Sequence, residues 1–451
     1  MSLFNADTLL AQAIAAQNAK DFARAAALYE QLIALAPSRP EAYVNLGLMH
    51  QNAGRLEIAE TLYRRAIKVA PKLAVAHLNL GVVHVIRREE EAALACFQQV
   101  LKLQPDRKDA LLNMAGVYER QGRIDHAARA LDRLVALSPG DITANMARAN
   151  VLFMLGRWKD AWTSYGVRHA IFWGTGRALP GALWRGEDIA GKTVLLSFEQ
   201  GLGEQIMFAT MIPEIARAAK HVIVECEARL VALFQRSFPG VEAVPWRDDW
   251  HPRVRAAEID FHAALGDPGL WLRDGFEKFP AHAGYLAADP ARVAHHRARY
   301  AALANGKRIA GIAWHSAAVP FGPQKSIPPA ALGPLLARED IFWVNLQHGP
   351  ARDQLGSAVW TDPEMDPGGD FEPLAAQIAA LDMMVSASNG TAHVAAALGR
   401  PTFLILPKVL GRHWYWFPDR ETNPWYPSAR TFVQDRDGVW DDAVARAAAA
   451  L

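Results

Sequence analysis

The chain has 451 residues, 51% of them hydrophobic and 21% charged, with a formal net charge of +1. That length predicts two or three domains with filled cores, and the near-neutral balance excludes a broad field for nucleic acid or an anionic membrane. Its two cysteines, Cys96 and Cys226, exclude a disulfide framework and fit a reducing cytoplasm.

The N-terminal stretch MSLFNADTLLAQAIAAQNAK lacks the basic-then-apolar order of a secretory signal. No stretch approaches the roughly 18 apolar residues of a spanning helix. A cytoplasmic protein without membrane insertion is expected. Repeats then dominate the first third. Pro37, Pro71, Pro105 and Pro139 recur every 34 residues. So do Ala25, Ala59, Ala93 and Ala127, and Tyr29, Tyr63, Phe97 and Leu131; Leu46 and Gly47 recur as Leu80 and Gly81. The period predicts helix pairs that bury their faces only by stacking. The columns resemble the tetratricopeptide repeat, with small residues at helix crossings and a proline closing each second helix. A fifth, shorter unit is expected from Ile142 to about His169, and the array from 1 to 170.

Asn45, Asn79 and Asn113 share one position on the first helices. A primary amide donates to a peptide C=O and accepts from an N–H at once. One reading is a ladder that holds an extended protein acceptor by its backbone; the other is that these amides bond neighbouring helices. The column is similar to the groove asparagines of the O-linked N-acetylglucosamine transferases.

The Gly- and Pro-rich residues 171–190 read as a linker. Beyond it, short apolar runs such as KTVLLSF, HVIVEC, RIAGIAWHS, IFWVNLQ, DMMVSA and PTFLILP alternate with helical stretches. This alternation predicts parallel sheets covered by helices. Two halves are expected, 191–290 and 291–451, with a cleft at their C-terminal strand ends. The fold class is therefore α plus α/β: a helical solenoid followed by two Rossmann-like domains, the layout of GT-B glycosyltransferases.

Three segments together resemble the heptosyltransferase-like glycosyltransferases that carry N-terminal tetratricopeptide repeats: EQGLGEQIMFATMIP, WHSAAVPFGPQKSIP, and the run from LDMMVSASNGTAHVAAALGRP through RHWYWFPDRETNPWYPSARTFVQ. The resemblance covers nearly all of 190–451. It implies a nucleotide-sugar donor, an inverting transfer, and a protein acceptor, flagellin being among those of the family. In the first segment it implies that Glu204, where aspartate is usual, is the base; the alternative is that Glu204 only complements the positive end of its helix. Gly201 and Gly203 bring backbone near the acceptor or simply make the turn. In the second segment it implies that Lys325 neutralises the departing phosphate, a solvated loop lysine being the alternative, and that His315 faces the cleft to touch donor or acceptor, a packed histidine being the alternative. In the third, many relatives read Asp-Thr where this chain has Ser388, Asn389, Gly390, Thr391, Ala392 and His393. Free N–H groups at that helix start make an anion seat, to which Thr391 and His393 add hydrogen bonds. A plain capped turn is the alternative.

The aromatic cluster Trp414, Tyr415, Trp416, Trp425 and Tyr426 is expected to pack rather than stack on ligand. Arg412 and Arg420 are further candidates for phosphate or carboxylate. No metal constellation stands in the cleft segments, Asp435 and Asp437 lying outside them. No metal and no resident cofactor are expected. A repeat scaffold with an inactive transferase half, or transfer to a glycan or lipopolysaccharide, are the other readings.

Overall fold

The computed structural model describes residues 2–169, 179–199, 201–319, 321–364, 370–409, 411–418 and 420–451, with side chains from residue 6. It forms two compact units, Met1–Val151 and Leu152–Leu451.

The first unit is helical. Helices Ser2–Asn18 (α1), Phe22–Leu35 (α2), Pro40–Asn52 (α3), Leu56–Val69 (α4), Ala74–Ile86 (α5), Glu90–Leu103 (α6), Lys108–Arg120 (α7) and Ile124–Leu137 (α8) lead into Ile142–Met154 (α9). The proline column falls two residues past the ends of α2, α4, α6 and α8, where proline cannot continue a helix. The glycine and aromatic columns explain one another. A Cβ on Gly47 would lie 2.7 Å from the Tyr63 ring, and one on Gly81 would lie 2.6 Å from the Phe97 ring. The turn inside each pair needs a left-handed residue. Lys20, Gly54, Arg88, Gly122 and Gly156, again spaced by 34, have φ of 61°, 73°, 63°, 69° and 70°.

The fifth pair keeps the period, its second helix being Trp158–Tyr165 (α10). The array was expected to run to 170, but the first compact unit closes at Val151, inside α9. The physical reason is the partners of α10. Trp162 Nε1 donates to the Arg273 carbonyl at 2.8 Å. Arg168, 1% exposed, donates to Glu199 at 2.6 Å and Asp267 at 2.8 Å. Burial opposes the charge on Asp267, but Arg168 and His169 hold its carboxyl below the usual range.

In the second unit two all-parallel sheets follow. The first has strands Ala182–Leu183 (β1), Thr193–Ser197 (β2), His221–Cys226 (β3), Val241–Pro245 (β4) and Phe261–Ala264 (β5), in the order β1-β5-β2-β3-β4. Helices Leu202–Phe208 (α11), Ile212–Ala218 (α12) and Val231–Ser237 (α13) lie between its strands in sequence. Of the expected linker, 171–178 lie outside the described residues, and Ala182–Leu183 is a strand paired with β5. Gly181 permits that edge: its φ is +76°, and a Cβ there would lie 2.6 Å from the Ile259 carbonyl.

Helix Pro290–Ala304 (α14) precedes the second sheet. Its strands are Arg308–Ala313 (β6), Ile341–Asn345 (β7), Trp360–Thr361 (β8), Met383–Ser386 (β9), Thr402–Leu406 (β10) and Ala429–Val433 (β11), ordered β11-β10-β9-β6-β7-β8. Phe371–Ala379 (α15), Gly390–Ala397 (α16) and Asp441–Ala450 (α17) accompany it. The core joins Ile312, Trp314, Val385 and Ile405 to Ala443 and Val444 of α17. The short strands β1, β8 and β11 and helix α17 were not expected from the sequence.

Candidate functional site

Each sheet reverses its winding once, between β2 and β5 and between β6 and β9. Loops leaving adjacent strands at such a point part in opposite directions and open a crevice at the C-terminal strand ends. The loops after β2, β6 and β9 line one cleft of about 610 Å³. Gly201, Gly203 and Glu204 come from the first loop, and His315 and Lys325 from the second. Ser388, Asn389, Gly390, Thr391 and His393 come from the third, while Ala392 is fully buried in α16 and does not line it.

Lys325 and Glu204 face one another from different sheets. Lys325 is 6% exposed, and burial lowers its pKa while Glu204 partly restores it. Burial raises the pKa of Glu204, against the pull of its own backbone N–H, Lys325 and the Tyr415 hydroxyl, which donates to it. The Lys325 Nζ lies 3.2 Å from His413 Nε2. Burial and Lys325 push the His413 pKa down to about 3, so its neutral ring accepts from the ammonium. The His413 ring lies parallel to Tyr415, 5.0 Å between centroids. Gly411 makes this close approach possible, with φ +85° and a Cβ position 2.6 Å from Lys325 Cγ.

The loop after β9 is built by its side chains. Asn389 caps α16, its Oδ1 accepting from the Ala392 N–H at 3.1 Å and the Ser386 hydroxyl at 3.1 Å. Its Nδ2 donates to the His315 carbonyl at 3.2 Å. Ser388 Oγ accepts from Trp416 Nε1 at 2.8 Å and is 2% exposed. The first N–H groups of a helix have no intrahelical partner. With Ala392 N–H bound to Asn389, those of Gly390 and Thr391 remain for a ligand.

The two glycines of the first loop are crowded by side chains rather than imposed by turn geometry. A Cβ on Gly201 would collide with the Glu204 carboxylate, and one on Gly203 would lie 2.7 Å from His393 Nε2. His393 is 3% exposed, and burial, reinforced by His413 and Lys325, holds it well below the ordinary histidine pKa. His315 is held by two side chains: its backbone N–H donates to Gln347 Oε1 at 2.8 Å, and its Nδ1 meets Ser326 Oγ at 3.0 Å.

The aromatic cluster, expected to pack, only partly stays out of the cleft. Trp414, Tyr415, Trp416, Trp425 and Tyr426 are indeed buried, yet Tyr415 and its neighbour His413 line the cleft. Nothing in periodicity marks them; only their place beside Lys325 and Glu204 does. Arg412 and Arg420 line a separate cavity of about 140 Å³, where Arg420 lies 3.7 Å over the Phe276 ring.

In the repeat unit the three asparagines are half-buried. Asn45 hydrogen-bonds Tyr29, and Asn79 hydrogen-bonds Tyr63, each tyrosine lying one helix earlier. Those hydroxyls donate onward to Gln17 at 2.8 Å and Gln51 at 2.9 Å. Asn113 instead donates to the Asp109 carbonyl at 2.8 Å, the preceding column residue being Phe97. The helix-bonding reading thus describes the donors, and the amide oxygens of Asn45 and Asn79 are the part of a ladder that remains.

Among the described residues, His295, His296 and Glu364 have ligand atoms close enough for a metal ion. Arg299 already pairs there with both Glu364 and Asp362, and none of the group lines the cleft. No helix among the described residues is long and apolar enough to cross a membrane.

The tetratricopeptide repeat family matches residues 10–74. The cilia and flagella-associated protein 70 middle TPR-like domain matches residues 53–177. Protein FlbA of Caulobacter vibrioides (strain ATCC 19089 / CIP 103742 / CB 15) is 33% identical over an alignment of 347 residues that covers 70% of this chain and 56% of the relative. The chain therefore spans about half the length of that protein. Among solved structures, a crystal structure of MamA is 20% identical with a TM-score of 0.34, covering 37% of this chain and 97% of that one. YrrB, described as a TPR protein with an unusual peptide-binding site, is 18% identical with a TM-score of 0.32, covering 35% and 82%.

Proposed function

We propose, from the premise that this is a tetratricopeptide-repeat protein with a parallel-sheet α/β region, that it is a glycosyltransferase of the heptosyltransferase-like GT-B type. It moves a sugar from a nucleotide-sugar to a protein acceptor recruited by the repeats, with inversion and without a metal. The observation that supports this reading is the convergence of Glu204, Lys325 and the start of α16 on one cleft from three distant segments.

In the proposed step the acceptor hydroxyl oxygen attacks the anomeric carbon. The bond from that carbon to the phosphate oxygen breaks, its electron pair leaving with the phosphate. The hydroxyl proton passes to Glu204. The raised pKa of Glu204 moves it toward the range where a general base works best. Lys325 and the N–H groups of Gly390 and Thr391 offset the charge that grows on the phosphate. Among the described residues the carboxylates lining the cleft are Glu204 and Asp370, and Asp370 caps α15 by accepting from the Glu372 N–H. That is a poor donor set for a divalent ion and a suitable one for a cationic protein seat. Repeats of this type support binding of a protein partner.

The test is intact-mass spectrometry of candidate acceptors, flagellin among them, co-produced with the wild-type chain, E204Q or K325A. A discrete added sugar mass with the wild type, lost in both variants, is the expected result. A second reading, a partner-binding scaffold without transfer, draws on Ser388 and Asn389, whose side chains are engaged in packing bonds. Acceptor capture without any mass change in the wild type would favour it.

A further inference from the structure

Beside the cleft lies the second cavity, of about 140 Å³, and the two share one side chain, His413. The wall of this cavity is aromatic, from Phe276, Trp414 and Phe417, and its cations are Arg412 and Arg420. Among the described residues no carboxylate lines it. An apolar cavity of about 150 Å³ admits a benzene ring. This one therefore takes a single group of side-chain size, not a nucleotide or a sugar chain.

The walls and the cations are held together. The Arg420 guanidinium lies over the Phe276 ring, its central carbon 3.7 Å from the centroid. Stacking occupies the face of a guanidinium and leaves its N–H donors at the edge, as a planar fork that matches a carboxylate. A turn sets this position: the Arg420 N–H donates to the Phe417 carbonyl at 3.1 Å. Phe417 itself has φ +39°, in the left-handed region that bulky residues rarely enter. One turn thus supplies an aromatic wall and a cation. Trp414 is fixed from behind by the Phe153 ring, stacked at 3.9 Å, and Arg412 stands half-buried two residues before it.

Charge and wall together select the ligand. A small inorganic anion would leave the aromatic wall wet. A neutral apolar group would take water from the guanidinia and return no charge. A carboxylate on a short apolar arm satisfies both. His413 then fixes where the rest of that ligand lies. Its Nε2 is 3.2 Å from Lys325 Nζ, so one imidazole stands between this cavity and the lysine of the cleft.

We infer that the cavity is a subsite for a carboxylate on a short apolar arm, carried by a molecule whose reacting end lies in the cleft. The inference rests on the transferase reading for that reacting end, not for the binding of the carboxylate. An acidic side chain of the acceptor and an acid group on the donor sugar share this chemistry.

The experiment is calorimetry on the full chain with benzoate as the probe. Acetate controls for the apolar arm and benzyl alcohol for the charge. Benzoate is expected to bind at least tenfold tighter than either, and to move the His413 ring signals in NMR, assigned through H413Q. Its affinity is expected to stay within about threefold under saturating inorganic pyrophosphate, the probe for the Lys325 seat. R420Q is expected to lose at least tenfold in benzoate affinity while keeping its pyrophosphate affinity and its unfolding temperature. Equal affinity for the three probes, an unchanged R420Q, or displacement of benzoate by pyrophosphate would each overturn the subsite. The transfer assay then identifies the source, with R420Q expected to fall at least tenfold. If the acceptor carries the carboxylate, replacing the Asp and Glu beside its modified hydroxyl by Asn and Gln lowers wild-type transfer and makes no difference in R420Q. If the donor carries it, those replacements leave wild-type transfer unchanged. Full transfer by R420Q would detach the cavity from the cleft and overturn the inference. Selective benzoate binding in a wild type that transfers nothing would remove the transferase reading and leave the subsite standing.

Discussion

Asn389 donates its side-chain N–H to the backbone carbonyl of His315, 3.2 Å away, and so ties the loop after β9 to the loop after β6. An aspartate has the same shape but no hydrogen to give. For Asn389→Asp we expect a loss of about 1–2 kcal/mol, because a carboxylate would face a carbonyl in a half-buried place. Denaturant unfolding measures it. An unchanged midpoint would mean that the His315 carbonyl finds another donor.

Acid should destabilise the α/β unit through its cleft histidines. The folded-state pKa of His413 is about 3, and that of His393 is also depressed, against an unfolded value near 6.5. Between those values the unfolded chain binds more protons, so stability is fully present above about pH 6.5 and declines as pH falls toward 3. The slope is at most about 1.4 kcal/mol per pH unit for each histidine. His413→Gln keeps an acceptor for Lys325 and should remove one histidine's share of the slope. Unfolding curves between pH 7 and 5 distinguish the two proteins.

Tyr415→Phe should change the pH profile of transfer rather than merely its height. The Tyr415 hydroxyl favours the ionised form of Glu204, so its loss raises the Glu204 pKa further. The acid limb of kcat/KM should then move to higher pH by about one unit, as expected for one charged hydrogen bond of roughly 1.5 kcal/mol. A uniform drop with no displacement would indicate a packing effect alone.

The glycine–aromatic columns predict a compensating pair. Gly81→Ala places a methyl 2.6 Å from the Phe97 ring and should cost about 1–3 kcal/mol by overpacking. Adding Phe97→Leu should restore part of it, since the fourth repeat has Ala115 and Leu131 at the same positions. Thermal unfolding of the single and double variants gives the coupling.

Lys20 adopts the left-handed conformation that Gly54, Gly122 and Gly156 adopt at equivalent turns. A non-glycine residue there costs roughly 1–2 kcal/mol, offset in part by the greater chain entropy of glycine. Lys20→Gly should therefore raise stability by about 0.5–1 kcal/mol, visible as a higher Tm. A lowered Tm would show that the lysine side chain contributes more than its strain.

The repeat period and the longer strands were legible because each rests on a local pattern: a 34-residue column, or an apolar run of five or six residues. Strand His221–Cys226 is an instance, with both faces buried. The strand Ala182–Leu183 was hidden by its glycine-rich setting, and two residues carry no period. The residues on the cleft loops were legible one by one, but their partners were not. Lys325 meets His413 across 88 positions of sequence and His393 meets Tyr426 across 33, and no local spacing encodes such pairs. The asparagine column shows the converse limit, since identical letters at one period hold different partners according to whether a tyrosine or Phe97 precedes them.

The pairing of Arg168 with Glu199 and Asp267 governs where this protein can be cut. A fragment begun at 171, after the last recognisable repeat, would retain two buried carboxylates and discard the guanidinium that neutralises them. Uncompensated buried charge of that kind costs about 3–5 kcal/mol, a large share of a domain's stability. A fragment begun at Leu152 keeps the guanidinium together with Trp162 and its bond to Arg273. The fifth helix pair therefore serves two masters: by sequence it is a repeat, and by folding its second helix belongs to the α/β unit it precedes.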